Sequence, residues 1–266
     1  MIGIGLFTGE EVSIKLCPAP PNTGIVFQRI DLQDKPLIPA LLSHVRASPR
    51  NTRLCAGNAC VFMVEHLLSA LSAYGVDNVR IEVKGSEIPA GDGSAAPFLE
   101  LIEKSGLKNQ NAKRRYLRIE QPIHWSEGEV HLIALPADES RYSYTLHYPH
   151  SALLNSQYFS FALEPQLYKK EIACCRTFSL YEEILPFIEK GIIKGGGLGN
   201  AVVIQGDRIL NPEGVRFQDE MVRHKILDLI GDLALLGRPL MAHVIAIRSG
   251  HSSNIAFAKT LLGNKD

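Results

Sequence analysis

Apolar residues recur at helical spacing over 61–74, with Val61, Val64, Leu67, Leu68 and Leu71 among them, and the run stops at Gly75. Glycine can take the left-handed conformation that closes a helix, so the pattern predicts a helix ending there. Val79, Ile81 and Val83 then alternate with Arg80, Glu82 and Lys84, the period of a half-buried strand. The same succession returns later: helical spacing over 217–236, a glycine at Gly237, and a strand over 241–247. Further strands are expected over 25–30, 117–119, 130–134, 142–147 and 201–204, and a helix over 180–190. The polar stretch KNQNAKRR, residues 108–115, has no apolar period and separates the two similar halves. Strands outnumber helices without a regular βαβα alternation, which favours α+β over a doubly wound fold. The expectation is two similar domains, 1–112 and 113–266, each a β-sheet packed with helices.

Composition narrows the function classes. The 266 residues are 45% hydrophobic and 21% charged, too apolar for a disordered chain and long enough for two cores. Lys plus Arg is 28 and Asp plus Glu is 28, so no global field draws the chain to nucleic acid or an anionic membrane. Asp228, Asp232, Arg238, Pro239 and His243 interrupt the most apolar stretch and disqualify it as a bilayer span. The first residues lack the basic start of a secretory signal, so a cytoplasmic protein is expected. Five cysteines, at 17, 55, 60, 174 and 175, include no CxxC spacing, and reduced, mostly buried thiols are the expectation.

His224, Asp228 and Asp232 recur every four residues, so they share one polar stripe of an otherwise apolar helix. Buried carboxylates need partners, and the spacing leaves three readings open: a metal site, an intrahelical hydrogen bond or an exposed seam. Glu65 and His66 stand in a similar apolar setting, where a lone histidine is more often a core residue. His66 precedes Gly75 by nine positions and Asp228 precedes Gly237 by nine, so the repeat would put them at equivalent points. Packing the repeated helices together could then join His66 to His224 and Asp228, with Glu65 beside them as a base. His251 follows the last strand on a turn, where Asp232 could fix its tautomer and raise its pKa. The glycine-rich run from Lys194 to Asn200 lies between a helix and a strand, the reverse of a phosphate loop, and reads as a mobile loop beside a cleft. Asp92, in Glu87-Ile-Pro-Ala-Gly-Asp-Gly-Ser94, is expected to cap a helix starting near Ala95.

Taken together, Gly3-Ile-Gly-Leu-Phe-Thr-Gly9, Val64-Glu-His-Leu-Leu-Ser-Ala70, Glu87-Ile-Pro, Asp92-Gly-Ser94, Arg176-Thr-Phe178, Arg223-His-Lys225 with Asp228 and Asp232, and Ser249-Gly-His251 resemble the UDP-3-O-acyl-N-acetylglucosamine deacetylases. These are zinc amidases that commit Gram-negative bacteria to lipid A synthesis. The resemblance runs in order over essentially the whole chain. It implies a pseudo-duplicated two-layer sandwich with helices facing each other at the domain interface. It also implies zinc (Zn2+) on His66, His224 and Asp228, with Glu65 as general base and Thr177 helping to stabilise the oxyanion. His251 would protonate the departing amine, supported by Asp232. Lys225, Phe178, Cys55 and Leu198 would contact the substrate, UDP-3-O-acyl-N-acetylglucosamine. A βαβ insertion over about 178–204 would form an apolar passage for the acyl chain, and the protein would act as a monomer. Two departures from the family pattern are Phe7, where the family usually has His, and the lack of a further short strand ahead of the Gly-x-Gly-Leu motif. The expected chemistry is hydrolysis of the N-acetyl group to acetate and the free 2-amino sugar. The alternatives are a catalytically weak homologue that binds a nucleotide lipid or a partner, and a metal-dependent deacylase of another acyl sugar.

Overall fold

Two sheets with the same strand plan organise the computed structural model, which describes residues 1–263. In chain order the first half runs β1 (Ile2–Ile4), β2 (Glu11–Pro18), β3 (Ile25–Arg29), β4 (Leu37–Pro39), β5 (Val45–Arg46), β6 (Arg53–Ala56), β7 (Ala59–Phe62), α1 (Glu65–Ala73), β8 (Val79–Lys84) and α2 (Ala96–Ser105). The second half continues with β9 (Leu117–Arg118), β10 (Ile123–Glu127), β11 (Val130–Pro136), β12 (Arg141–Tyr148), β13 (Asn155–Ala162), α3 (Pro165–Glu171), β14 (Phe178–Leu180), α4 (Tyr181–Glu189), β15 (Val202–Gln205), β16 (Arg208–Ile209), α5 (Glu220–Leu233), β17 (Leu240–Ile247) and α6 (His251–Leu261).

The first sheet is ordered β1-β2-β8-β3-β4 and the second β10-β11-β17-β12-β13, with β9 added at the start of β17. In each, the last strand to be made sits in the middle, antiparallel to one neighbour and parallel to the other. Alternation supplies the buried faces. Val79, Ile81 and Val83 of β8, and Leu240, Ala242, Val244 and Ala246 of β17, point inward. In each half a helix leads into that central strand and another follows it. The leading helices α1 and α5 pack on each other, and this contact brings the two halves together. They approach most closely where Gly231 of α5 meets the backbone of Glu65, since a β-carbon there would lie 2.0 Å from the Glu65 carbonyl oxygen. The fold is the expected α+β duplication. Among the described residues no helix is long and apolar enough to cross a membrane.

Several local expectations are corrected. The helix expected over 61–74 begins only at Glu65, because Val61 and Phe62 pair with β6 and Met63 takes a left-handed turn, φ +61°. Val61 is buried either way, so burial does not separate the two readings. Cys55 and Cys60 face each other across the β6–β7 hairpin and form a disulfide, leaving Cys17, Cys174 and Cys175 as free thiols. Spacing along the chain cannot reveal a cross-strand pairing of this kind. Asp92 caps no helix: its carboxylate accepts from the Ser94 backbone and hydroxyl and pairs with Arg216. His251 lies not on a turn but at the first position of α6, where Ser253 and the Gly250 backbone bond reciprocally. The small and polar residues that open α6 hid its helical period.

Candidate active site

The packing of α1 on α5 faces two histidines toward one carboxylate. His66 leaves the first turn of α1, while His224 and Asp228 stand one turn apart on α5. Their rings lie edge to face with centroids 4.9 Å apart. Nε2 of His66 is 3.5 Å and Nε2 of His224 is 3.3 Å from Asp228 Oδ1. That oxygen is buried and accepts no hydrogen bond, which is costly unless another positive partner occupies the centre of the group. His224 Nδ1 lies 3.0 Å from the Cys175 carbonyl, so the ring donates there and keeps the Nε2 lone pair toward Asp228. Burial lowers the pKa of His66 against the pull of Asp228, favouring the neutral ring a metal needs. Burial opposes the charge on Asp228, yet Lys225, His224 and His66 together hold its carboxyl well below the usual range. Lys225 Nζ bonds the other oxygen, Oδ2, at 2.8 Å, and although burial opposes its charge, the Asp228 carboxylate raises its pKa. Two imidazole nitrogens and a carboxylate oxygen, all within 4.8 Å of one another, can hold a divalent cation.

A second group of proton-carrying side chains adjoins this one. Glu65 Oε1 is 3.8 Å from His251 Nε2, and Asp232 Oδ2 is 2.9 Å from His251 Nδ1. Burial pushes Glu65 up to about 7, with Asp232 and Asp228 adding to the shift and His251 opposing it. For His251 burial acts against the cation, but Asp232, Glu65 and Asp228 outweigh it and raise its pKa to about 9. A base near neutrality thus stands beside an acid that stays protonated above it, the pairing that proton transfer in both directions requires.

Both groups open onto a cavity of about 740 Å³, whose lining includes Glu65, His66, Asp228 and His251. Thr177, Phe178, Lys225 and Leu198 line it as well. Its apolar part comes from the β14–α4–β15 unit and from residues 193–198, with Leu180, Ile184, Ile188 and Ile193 facing inward. The glycine-rich segment is tied down on the N-terminal loop, for Lys194 and Gly195 donate to the carbonyls of Phe7 and Leu6. Glu87, fully buried, holds that loop through the backbone amides of Phe7 and Thr8. Phe7 also lines the cavity and packs edge-on against Phe62. Arg176 is buried in ion pairs with Glu220 and Glu213, which anchor the chain at Thr177 and the start of β14 at Phe178.

Cys55, expected to contact the substrate, is not among the residues that line the cavity, and its sulfur is joined to Cys60 within the hairpin. Conversely, Thr52 and Asn254, both hydrogen-bonded to Asp232, went unrecognised in the sequence, as did Tyr148, which stacks edge-on with Phe178. No local pattern marks them, since each acquires its partner only through the tertiary fold.

Residues 1–263 match the family model for LpxC, described as UDP-3-O-acyl N-acetylglycosamine deacetylase. A UDP-3-O-acyl-N-acetylglucosamine deacetylase of Chlamydia pneumoniae is 48% identical over 261 residues, covering 98% of this chain and 93% of the relative. The deacetylase of the same name from Chlamydia caviae is 47% identical over 260 residues, covering 98% and 92%. That of Chlamydia trachomatis serovar D is 45% identical over 260 residues, covering 98% and 91%.

Proposed function

Because the chain belongs to the UDP-3-O-acyl N-acetylglycosamine deacetylase family, we propose that it hydrolyses the N-acetyl group of UDP-3-O-acyl-N-acetylglucosamine, the committed step of lipid A synthesis. The products are acetate and UDP-3-O-acyl-glucosamine. The observation that carries this reading is the buried, unpartnered Oδ1 of Asp228 between two imidazole nitrogens at the floor of a largely apolar cavity. His66, His224 and Asp228 would hold zinc, a borderline ion suited to two nitrogens and one oxygen with a position left open. Zinc bound there supplies Lewis acidity, polarising an amide carbonyl and making water more acidic.

Glu65 takes the proton from the attacking water as it adds to the acetyl carbon. His251, held by Asp232, gives a proton to the sugar nitrogen as the carbon–nitrogen bond breaks, so the amine departs neutral. The Thr177 hydroxyl steadies the charge on the carbonyl oxygen, on a backbone fixed between Gly93 and Val202. Phe178 lies against the sugar, and Lys225, whose Nζ is 5.9 Å from the Phe178 ring centre, adds a positive charge for an anionic part of the substrate. Leu198 and the apolar residues of α4 receive the acyl chain. We read 1–112 and 113–266 as two domains with an insertion near 178–204. We read the protein as a monomer, and the nucleotide-linked substrate suits a cytoplasmic reaction.

The test is acetate release by the zinc-loaded protein, with amine formation measured in parallel. Equal amounts of acetate and amine are expected, with kcat/KM falling when the substrate lacks its acyl chain, since each buried methylene is worth roughly 0.8 kcal/mol. No acetate from the intact substrate would overturn the assignment, and an unchanged kcat/KM without the chain would remove the passage from recognition.

A further inference from the structure

Thr52 joins the two sides of the proposed proton-transfer machinery, though it precedes the helix of one and lies 180 residues from Asp232 of the other. It is 2% exposed. Its backbone N–H donates to Glu65 Oε2 at 3.1 Å, and its hydroxyl donates to Asp232 Oδ1 in a short hydrogen bond. The opposite oxygen of Asp232, Oδ2, meets His251 Nδ1 at 2.9 Å and the Asn254 side-chain amide at 2.8 Å. The Asp232 carboxylate is therefore pinned at both ends, and Thr52 supplies the hold on the oxygen that faces away from His251.

A hydroxyl has one proton to give. Here it goes to Asp232, because the contact from Thr52 Oγ1 to His251 Nδ1 is longer, 3.4 Å. The Nδ1 proton of His251 is then committed to Asp232 Oδ2, and Nε2 is turned toward Glu65, 3.8 Å away. Thr52 sits between two tied segments of chain. It directly precedes the hairpin closed by the Cys55–Cys60 disulfide and directly follows a turn in which Arg50 takes φ +62° and Ser48 bonds the Asn51 side chain.

We infer that Thr52 is a positioning residue that sets the plane of the Asp232 carboxylate, and through it the orientation of His251, while its own amide fixes Glu65. The inference rests on the acid and base roles proposed above. Thr52→Val keeps the size and the backbone N–H but removes the hydroxyl, leaving Asp232 Oδ1 buried without its donor. Thr52→Ser restores the donor.

The expected result for the zinc-loaded protein is a fall in kcat of roughly 10- to 100-fold in Thr52→Val with KM nearly unchanged, the usual scale for a group that orients another. Thr52→Ser should recover most of that loss. In a His251→Ala background, Thr52→Val should cost little more, because the group it positions is already gone. An activity-independent reading comes from the low-field Nδ1 proton of His251 in NMR spectra, identified by its loss in His251→Ala. It should move in Thr52→Val and return in Thr52→Ser. Should Thr52→Val fail to fold, Thr52→Ala serves in its place. The inference is overturned by wild-type kcat together with an unmoved resonance, by failure of serine to rescue, or by an undiminished loss in the His251→Ala background. If the wild-type protein releases no acetate, the substrate assignment fails, and the His251 resonance alone still decides the role of Thr52.

Discussion

Replacing Gly231 by alanine puts two opposing effects on one atom. Within a helix alanine is favoured over glycine by about 1 kcal/mol, so α5 taken alone should gain from the change. In the folded protein the new β-carbon would lie 2.0 Å from the Glu65 carbonyl oxygen, 2.7 Å from its carbon and 3.0 Å from its α-carbon. Ordinary contact begins at 3.4 Å, so the helices must separate by 3.4 − 2.0 = 1.4 Å at this point. No side chain can rotate away, because the obstructing atoms are the backbone of the first residue of α1. Overpacking of this kind costs about 1–3 kcal/mol, and an immovable neighbour argues for the upper end. The net expectation is a loss of about 1–2 kcal/mol, or a fall in Tm on the order of 5 °C for a chain of this size. The same displacement shifts Glu65 and His66, and a misplacement of ~1 Å at reacting groups can cost about 100-fold in rate. Urea unfolding and acetate release measure the two effects. Gly199→Ala is the control: nothing lies within 4 Å of its would-be β-carbon, so stability should stay within about 0.5 kcal/mol of wild type. A Gly231→Ala protein as stable and active as wild type would refute the close crossing of α1 and α5.

Purified protein should carry about one equivalent of zinc, reduced in His66→Ala and in Asp228→Ala, and unchanged metal content in both would remove them as ligands. Glu65→Ala should keep the metal yet lose a factor on the order of 10² to 10⁴ in kcat/KM, and retention of near wild-type rate would end its role as base. The proposed mechanism needs Glu65 ionised and His251 protonated, so kcat/KM should rise through a limb at or below about 7 and fall through one at or below about 9, since a bound cation lowers both groups. In chelated protein both groups bind protons more tightly when folded, so each withdraws stability as pH rises, Glu65 between 4.5 and about 7 and His251 between 6.5 and about 9. Urea unfolding across this range should show those losses vanish in Glu65→Gln and His251→Ala, and persistence of either loss would contradict the geometry. Thiol titration of the denatured, unreduced protein should count three cysteines and, after reduction, five; five in both states would refute the Cys55–Cys60 bond.

Local periodicity determined much about this protein before any tertiary contact is considered. Residues four apart on a helix share a face, so His224, Asp228 and Asp232 had to form one stripe; Gly75 follows the end of α1, while Gly237 closes not α5 itself but the 3-10 turn Ala234–Leu236 that follows it. The repeat of helix, glycine and strand carried the duplicated architecture, because each half must bury its own alternating strands. The stripe could not say what would face it. Only the crossing of α1 on α5 put His66 Nε2 within 3.5 Å of Asp228 Oδ1 and so assembled a group that can hold a divalent cation. The β6–β7 hairpin likewise decided that Val61 and Phe62 are strand, that Cys55 is a disulfide partner outside the cavity, and that Thr52 reaches both Glu65 and Asp232. Helix and strand periods are local properties of the chain. Burial of a polar group, and the partner that makes its burial tolerable, come from residues far apart in sequence and exist only once the two sheets have closed on their helices.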